Sequence, residues 1–296
     1  MFEIILPLKG IALCFAACSL YGIIQISEEE ERTKIMIALI TGASSGIGKE
    51  LAKNLASRGF NLILVARRPD RLREVKEQIA MFSDVKVKLI CRDLSKAEQC
   101  VELYEQVKRL NVDMVINNAG FGLFGKFDQT ELERELEMID TNIKAVHILT
   151  KLFLRDFKRR NYGFILNVAS IAGFLAGPLM ATYYASKNYV VQLTRAIGEE
   201  VRHDGKNVYV GVLCPGPVDT EFNKVAGAEF AIGGASAAEV AEYAIEQMFR
   251  GKTVIVPKTE IKALAAISKA APSRLMLMGT YFAQTARRGE PEDKNG

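Results

Sequence analysis

Two histidines and five cysteines in 296 residues leave little for several kinds of chemistry. With so little histidine there is scant room for a Ser-His-Asp mechanism or a histidine-rich metal site, and no metal centre is expected. Cys14, Cys18, Cys91, Cys100 and Cys214 form no Cys-x-x-Cys pair. An odd, scattered set builds neither a disulfide framework nor a zinc site, and it suits a reducing compartment. Only 8 prolines and 23 glycines occur, against 49% hydrophobic and 25% charged residues. That balance excludes a disordered, collagenous or polytopic membrane chain. Charge of one sign is scarce as well: 39 basic and 35 acidic residues leave a net of +4, and no basic stripe interleaves with aromatics. No nucleic-acid partner is expected.

What the sequence does hold is strand–helix alternation. Apolar, strand-like runs lie at 35–40, 61–66, 85–91, 112–117, 163–168, 208–213 and 253–256. They lack strict alternation, as expected of parallel strands buried on both faces. Stretches of helical period lie between them at 47–57, 71–81, 96–109, 131–157, 179–201 and 237–249. The pattern predicts an α/β fold: a single Rossmann-like, doubly wound parallel sheet with helices on both faces, spanning residues 36–258.

Both ends differ from this domain. Residues 4–26 are almost wholly apolar, broken by Pro7, Lys9 and Gly10, and Glu28–Glu31 follow. As a helix, residues 10–26 would reach about 25 Å, short of the roughly 30 Å of a bilayer core. Starting at Ile4 makes the helix long enough, with Lys9 snorkelling to the interface. Residues 1–35 thus read either as a membrane anchor or as sequence ahead of a true start at Met36. In an anchor, Arg32 and Lys34 outweigh Lys9 and hold the domain on the cytoplasmic side. For an internal start in a bacterial source, the codons of Glu28–Arg32 would be purine-rich, like a ribosome-binding site. After Pro257 comes a basic, apolar tail, residues 259–296. Its Leu264, Ile267, Leu275, Leu277 and Tyr281 can cover a cleft or lie on a bilayer, and packing against the domain is the plainer expectation.

The chemistry begins at Thr41-Gly42-Ala43-Ser44-Ser45-Gly46-Ile47-Gly48, between the first strand and the first helix. Glycines there allow a tight turn, close backbone approach to phosphate and close helix–strand packing. The helix N-terminus offers free N–H groups to a pyrophosphate. The spacing is Gly-x3-Gly-x-Gly rather than the commoner Gly-x-Gly-x-x-Gly. Further motifs follow in order: Asn117-Asn118-Ala119-Gly120 after the fourth strand, Ser170, Tyr183-x-x-x-Lys187, and Pro215-Gly216-Pro217-Val218-Asp219-Thr220.

Together, from about Ile35 to about Pro257, they resemble the short-chain dehydrogenase/reductase family. The resemblance implies a dinucleotide cofactor bound by Gly42, Ser44, Ser45, Gly46, Ile47 and Gly48. It adds Asp93-Leu94 as an adenine-binding pair, Asn118, Ala119 and Gly120, and a nicotinamide-side turn at Pro215, Gly216, Val218 and Thr220. It also implies that Lys187 holds the nicotinamide ribose, and that Asn142, as a fourth catalytic residue, positions a water that relays protons.

The residues themselves support this reading. Tyr183 and Lys187 are four apart and project from one helical face. A free tyrosine has a pKa of about 10, and a neighbouring ammonium should lower it towards neutrality. Ser170, just past the fifth strand, can hydrogen-bond a substrate oxygen as charge develops there. Tyr184, three residues before Lys187, can share that face, and the family frame selects Tyr183. Plain structural alternatives stand beside each site residue. They are a half-buried helical tyrosine, a loop-capping Ser170, a locally bonded Asn142, an Asn118 that ties strands together and a helix-capping Asp93. His147 and His203 fit no catalytic position.

The second strand ends Val65-Ala66-Arg67-Arg68, where an NAD enzyme usually places an acid for the ribose 2′-hydroxyl. Arginines suit a 2′-phosphate through paired, charge-assisted bonds. NADP(H) is therefore the expected cofactor, with Arg67 the stronger candidate and Arg68 beside it; a solvated basic turn is the alternative. The expected activity is hydride exchange between NADP(H) and a carbonyl or secondary alcohol, with Asn142, Ser170, Tyr183 and Lys187 catalytic. Residues 220–236, rich in small residues with Phe222 and Phe230, suit a lid. Lid and tail together point to an apolar substrate. A catalytically idle dinucleotide sensor and a membrane-tethered interaction protein are the alternatives. A homo-oligomer is expected by family analogy alone, and the location is cytoplasmic, free or anchored.

Overall fold

Successive side chains of a strand point to opposite faces, and because these strands are apolar at nearly every position, each one feeds a core on both sides of the sheet. The computed structural model describes residues 35–222, 226, 235–257 and 273–285. The chain divides into Met1–Lys34 and Ile35–Gly296, and every described residue belongs to the second unit. The apolar stretch 4–26 lies outside the described residues. Among the described residues, no helix is long and apolar enough to cross a membrane.

Seven strands form one sheet in the order β3-β2-β1-β4-β5-β6-β7. They are β1 Ile37–Thr41, β2 Asn61–Ala66, β3 Val87–Cys91, β4 Met114–Asn117, β5 Gly163–Val168, β6 Val208–Leu213 and β7 Val254–Ile255. Every neighbouring pair is parallel. The described helices are α1 Gly46–Ser57, α2 Pro69–Ala80, α3 Ala97–Val107, α4 Leu132–Ile139, α5 Val146–Arg160, α6 Ala181–His203, α7 Ala237–Phe249 and α8 Ser273–Thr285.

Alternate residues of each strand enter different cores. Ala38, Ile40, Leu62 and Leu64 pack with Leu51 and Leu55 of α1, Leu72 of α2 and Ile245 of α7. Leu39, Ile63 and Val65 pack on the other face with Leu103 of α3 and with Leu149, Phe153 and Phe157 of α5. Burial on both faces explains why the strands read as continuous apolar runs. The doubly wound sheet expected from the sequence is the fold observed.

The boundaries differ where side chains displace ladder bonds. The run at 85–91 pairs only from Val87, because the Lys86 amide donates to the Asn61 side chain at 2.8 Å. The expected single helix 131–157 is interrupted: Asp140–Ala145 form a π-helical turn between α4 and α5. There Asn142, fully buried, accepts from the Phe121 amide at 3.1 Å. Its own amide donates to the Phe121 carbonyl at 2.9 Å and to Ser186 at 3.0 Å. Such turns recur where a helix carries a functional residue. Apolar periodicity continues through the turn, so the pattern alone conceals it.

A buried polar chain stitches the sheet to its helices. The Asn117 amide donates to Thr150 of α5 at 3.1 Å and to the Asn167 carbonyl at 2.8 Å. Asn167 in turn donates to Thr194 of α6 at 2.9 Å. Buried polar groups are expensive to leave unpaired. Asn167→Leu, of similar size, strips partners from Asn117 and Thr194 and should lower stability by about 3 kcal/mol, read as a shift in the urea unfolding midpoint.

Candidate active site

The strand order reverses at β1, whose neighbours β2 and β4 lead the chain in opposite directions. In open α/β sheets that split opens a crevice at the carboxyl ends of the strands. Here it is a cleft of about 820 Å³. The loop from β1 to α1 forms one wall through Gly42, Ser44, Ser45, Gly46 and Ile47. Gly42 and Gly46 hold φ of +63° and +53°, the left-handed region in which a side chain is strained. Gly48 lies behind that wall, where a Cβ would stand 2.3 Å from the Gly42 carbonyl oxygen. α1 thus starts in contact with the end of β1, and only glycine permits it.

At the far end lie Ala66, Arg67 and Arg68, with Asp93 and Leu94 after β3. Arg68 donates to the hydroxyls of Ser44 and Ser45 at 3.5 and 3.3 Å and pairs with Glu221 at 2.9 Å. Arg67 pairs with Glu137 at 2.7 Å. Both arginines therefore border the crevice, and Arg68 is the one that reaches the glycine loop. Asp93 spends one carboxylate oxygen on the Ser95 amide and hydroxyl, at 3.1 and 2.9 Å. It lines the cleft and also caps a turn.

From β4 come Asn118, Ala119 and Gly120, which line the crevice beside β1. The Asn118 amide donates to the carbonyls of Thr41 and Gly42 at 3.0 and 3.2 Å, so the residue ties the two strand ends together. A Cβ on Gly120 would lie 2.8 Å from Asn142 Oδ1 and 3.3 Å from Lys187 Nζ. Across the cleft stand Pro215, Gly216, Val218 and Thr220. A wall of bare backbone, hydroxyls and the guanidiniums of Arg67, Arg68, Arg92 and Arg134 fits an extended phosphate-bearing dinucleotide.

Ser170, Tyr183 and Lys187 meet in the middle of this wall. Ser170 caps a 3-10 turn, Ile171–Phe174, by accepting from the Ala172 amide at 3.2 Å, and it donates to the Pro215 carbonyl at 3.3 Å. Tyr183 is buried, and that burial raises its hydroxyl well above the ordinary tyrosine value; hydrogen bonding to Ser170 partly opposes the rise, and Tyr184 adds to it. Lys187 Nζ lies 5.8 Å from the Tyr183 ring centre and donates to the Val168 carbonyl at 3.0 Å. Burial lowers Lys187 to about 8, with Cys214 opposing. The lowering of Tyr183 expected from its neighbour is thus absent from these side chains alone: burial outweighs any Lys187 field, and the ammonium faces a carbonyl. Tyr184 also lines the cleft, with its ring centre 6.1 Å from that of Tyr183 and its hydroxyl accepting from Gln284 at 2.9 Å. Asn142 does not line the cleft, and its side chain is committed to Phe121 and Ser186.

α8 closes the cleft from the tail. Of the tail residues singled out, Leu275, Leu277 and Tyr281 are all exposed, and only Leu275 borders the cleft, on a face with Met276, Gly279, Thr280 and Gln284. That face mixes glycine, threonine and glutamine, so apolar periodicity could not reveal it. The single proton of the Thr280 hydroxyl is within reach of the Met276 and Leu277 carbonyls of its own helix, both at 3.0 Å, and of the Ala176 carbonyl at 3.2 Å. Leu264, Ile267 and most of the expected lid 220–236 lie outside the described residues; Phe222 at its start lines the cleft. His147 bonds Tyr189 at 2.7 Å on the outer side of the helices. No group of residues suited to hold a metal ion occurs among the described residues.

Lys187 carries a pH signature. Below about 8 the folded protein bears a buried ammonium; between 8 and its ordinary 10.5 the unfolded chain binds more protons at this group. Stability from this group therefore rises with pH across that window and is lost as pH falls through about 8. In urea titrations at stepped pH, the wild type should gain stability relative to Lys187→Met over that interval.

Comparison with known proteins agrees with the geometry. The short chain dehydrogenase family profile matches residues 36–231. A very-long-chain 3-oxoacyl-CoA reductase from Mycosarcoma maydis is 34% identical over 192 residues, which is 63% of this chain and 54% of that relative's length. The solved structure of a short-chain dehydrogenase from Sphingobium yanoikuyae in complex with NADPH superposes with a TM-score of 0.74 at 28% identity, covering 88% of this chain and 100% of the other. One from Burkholderia phymatum in complex with NAD gives 0.72 at 25% identity, covering 79% and 92%. The chain belongs to the short chain dehydrogenase family of oxidoreductases, with the Rossmann-like fold and nicotinamide dinucleotide chemistry of that family.

Proposed function

We propose that the chain is an NADP(H)-dependent carbonyl reductase whose proton-transferring group is Tyr183. One observation carries the proposal: Tyr183, Ser170 and Lys187 converge on the wall of one cleft that is also lined by the glycine loop, Arg67 and Arg68. A bound nicotinamide dinucleotide supplies hydride transfer to or from the carbonyl carbon. Tyr183 holds the proton at its hydroxyl, which burial keeps protonated near neutral pH and so ready for reduction. Ser170 donates to the carbonyl oxygen of the substrate as charge grows there. Lys187 holds the nicotinamide ribose and, when turned from the Val168 carbonyl, favours the phenolate for the reverse direction. Asn142 acts through the π-helical turn that it stabilises, beside which a water can sit.

Arg67 and Arg68 read the 2′-phosphate, and NADP(H) is preferred on that account. Their present partners are the carboxylates of Glu137 and Glu221, the charge type that a phosphate would replace. The substrate is apolar: Leu175, Met180, Phe222, Leu275 and Met276 line the open part of the cleft. The likeness to a 3-oxoacyl-CoA reductase makes acyl thioesters the first class to test. Residues 36–258 make up the catalytic domain, which the tail completes. Residues 1–35 are dispensable for catalysis and are either an anchor facing the cytoplasm or absent from the native protein.

The test is NADPH oxidation across aldehydes, ketones and 3-oxoacyl thioesters. Tyr183→Phe should cut turnover by about a hundred-fold or more and leave NADPH binding close to wild type. A Tyr183→Phe enzyme that still turns over, with Tyr184→Phe inactive, would reverse the assignment. NADPH binding without reduction of any carbonyl would favour the idle sensor. Arg67→Ala and Arg68→Ala should each weaken NADPH by about ten- to a hundred-fold, while NADH affinity measured alongside changes little. N-terminal sequencing of the native protein with membrane fractionation separates the two readings of residues 1–35.

A further inference from the structure

Three buried side-chain acceptors have no hydrogen-bond partner among the described residues: Asn117 Oδ1, Gln247 Oε1 and Gln284 Oε1. Only Gln284 lines the cleft. It is 1% exposed, and its amide nitrogen donates to the Tyr184 hydroxyl at 2.9 Å. That bond fixes the side chain and leaves the carbonyl oxygen uncommitted. Tyr184 stacks edge-on against Tyr183, with ring centres 6.1 Å apart, so the pair joins α8 to the reacting hydroxyl. Met276, Thr280 and Gln284, spaced four residues apart on one face of α8, all line the cleft. An unpaired amide oxygen costs free energy wherever water cannot reach it, so natural proteins rarely keep one without a use.

We propose that Gln284 Oε1 is a substrate subsite that accepts a hydrogen bond from a hydroxyl carried by the apolar substrate, away from its carbonyl. The proposal rests on reading the cleft as a carbonyl reductase site, and it names the second polar group of that substrate. The neighbouring wall of Leu175, Met180, Leu275 and Met276 offers the rest of the molecule only apolar contact. A lone acceptor in such a wall discriminates strongly, because a ligand without the donor leaves the oxygen unpaired. Gln284 is a specificity residue here: it binds the substrate and takes no part in moving the proton or the hydride.

The test uses the full chain and a series of 2-alkanones of increasing length. Each is compared with its ω-hydroxy and ω-methoxy counterparts, by calorimetric binding in the presence of NADP⁺ and by kcat/KM with NADPH. At one chain length the wild type should favour the hydroxy ketone over the parent by about ten-fold or more, and the methoxy ketone should gain nothing. Gln284→Leu should bring the hydroxy-to-parent ratio close to one, whereas Gln284→Glu, which retains an acceptor oxygen, should keep the preference. A wild type without preference at any length overturns the proposal, as does a ratio unchanged in Gln284→Leu. An equal gain from the methoxy group overturns it too, because that would make the free end of the amide a donor. Should Gln284→Leu fail to fold, the wild-type ratios and Gln284→Glu still decide. Hydroxy-selective binding with no NADPH oxidation would sink the reductase reading and leave the subsite standing.

Discussion

The close approach of α1 to the ends of β1 and β4 governs the rest of the site. It exists because Gly48 has no side chain: a Cβ there would sit 2.3 Å from the Gly42 carbonyl and 2.4 Å from the Asn118 amide. Asn118 completes the joint by bonding both carbonyls at the end of β1. With the helix seated this low, its N-terminus and the hydroxyls of Ser44 and Ser45 border the crevice instead of standing above it. The neighbouring strand ends then deliver the arginines from β2, Gly120 from β4 and Ser170 from β5 to the same rim.

Behind the rim, buried polar groups give the site its rigidity. The amides and hydroxyls of Asn117, Thr150, Asn167 and Thr194 join β4, α5, β5 and α6 in one chain. Asn142 in its π-helical turn ties α4 and α5 to the loop at Phe121 and to Ser186 on α6. Glu135 of α4 is buried and accepts from the Thr182 hydroxyl at 2.7 Å, one residue before Tyr183. Low dielectric strengthens such bonds and raises the cost of breaking them. The tyrosine hydroxyl and the lysine amine are thus carried on a helix held by bonds at Thr182, Ser186 and Thr194.

Burial has opposite consequences for these two groups. It keeps the proton on Tyr183 and lowers Lys187 to about 8, because in each case the charged form is the one disfavoured. The protein alone therefore poises the site towards proton donation. The four-residue spacing correctly puts both side chains on one wall, but it carries no information about depth. Depth decides how far each pKa moves, and so a lowered tyrosine pKa was a reasonable expectation from spacing that the folded site does not bear out.

Local pattern by itself determined much of this protein. Two-faced strands alternating with amphipathic helices specify a doubly wound sheet, and β2, β5 and β6 fall to the residue where apolar runs suggest them. The glycine loop, Asn118-Ala119-Gly120, Ser170 and Tyr183-x-x-x-Lys187 were also legible, because turn geometry and helical spacing are short-range properties. Tertiary structure alone decided which face of α8 meets the cleft, that Asn142 turns inward through a π-helical turn, that Arg68 reaches the glycine loop while Arg67 pairs with Glu137, and that Gln284 is buried against Tyr184. Each of these depends on contacts between residues far apart in the chain. No periodicity within a short window encodes such contacts, because they exist only once the sheet has brought its edges and its tail together.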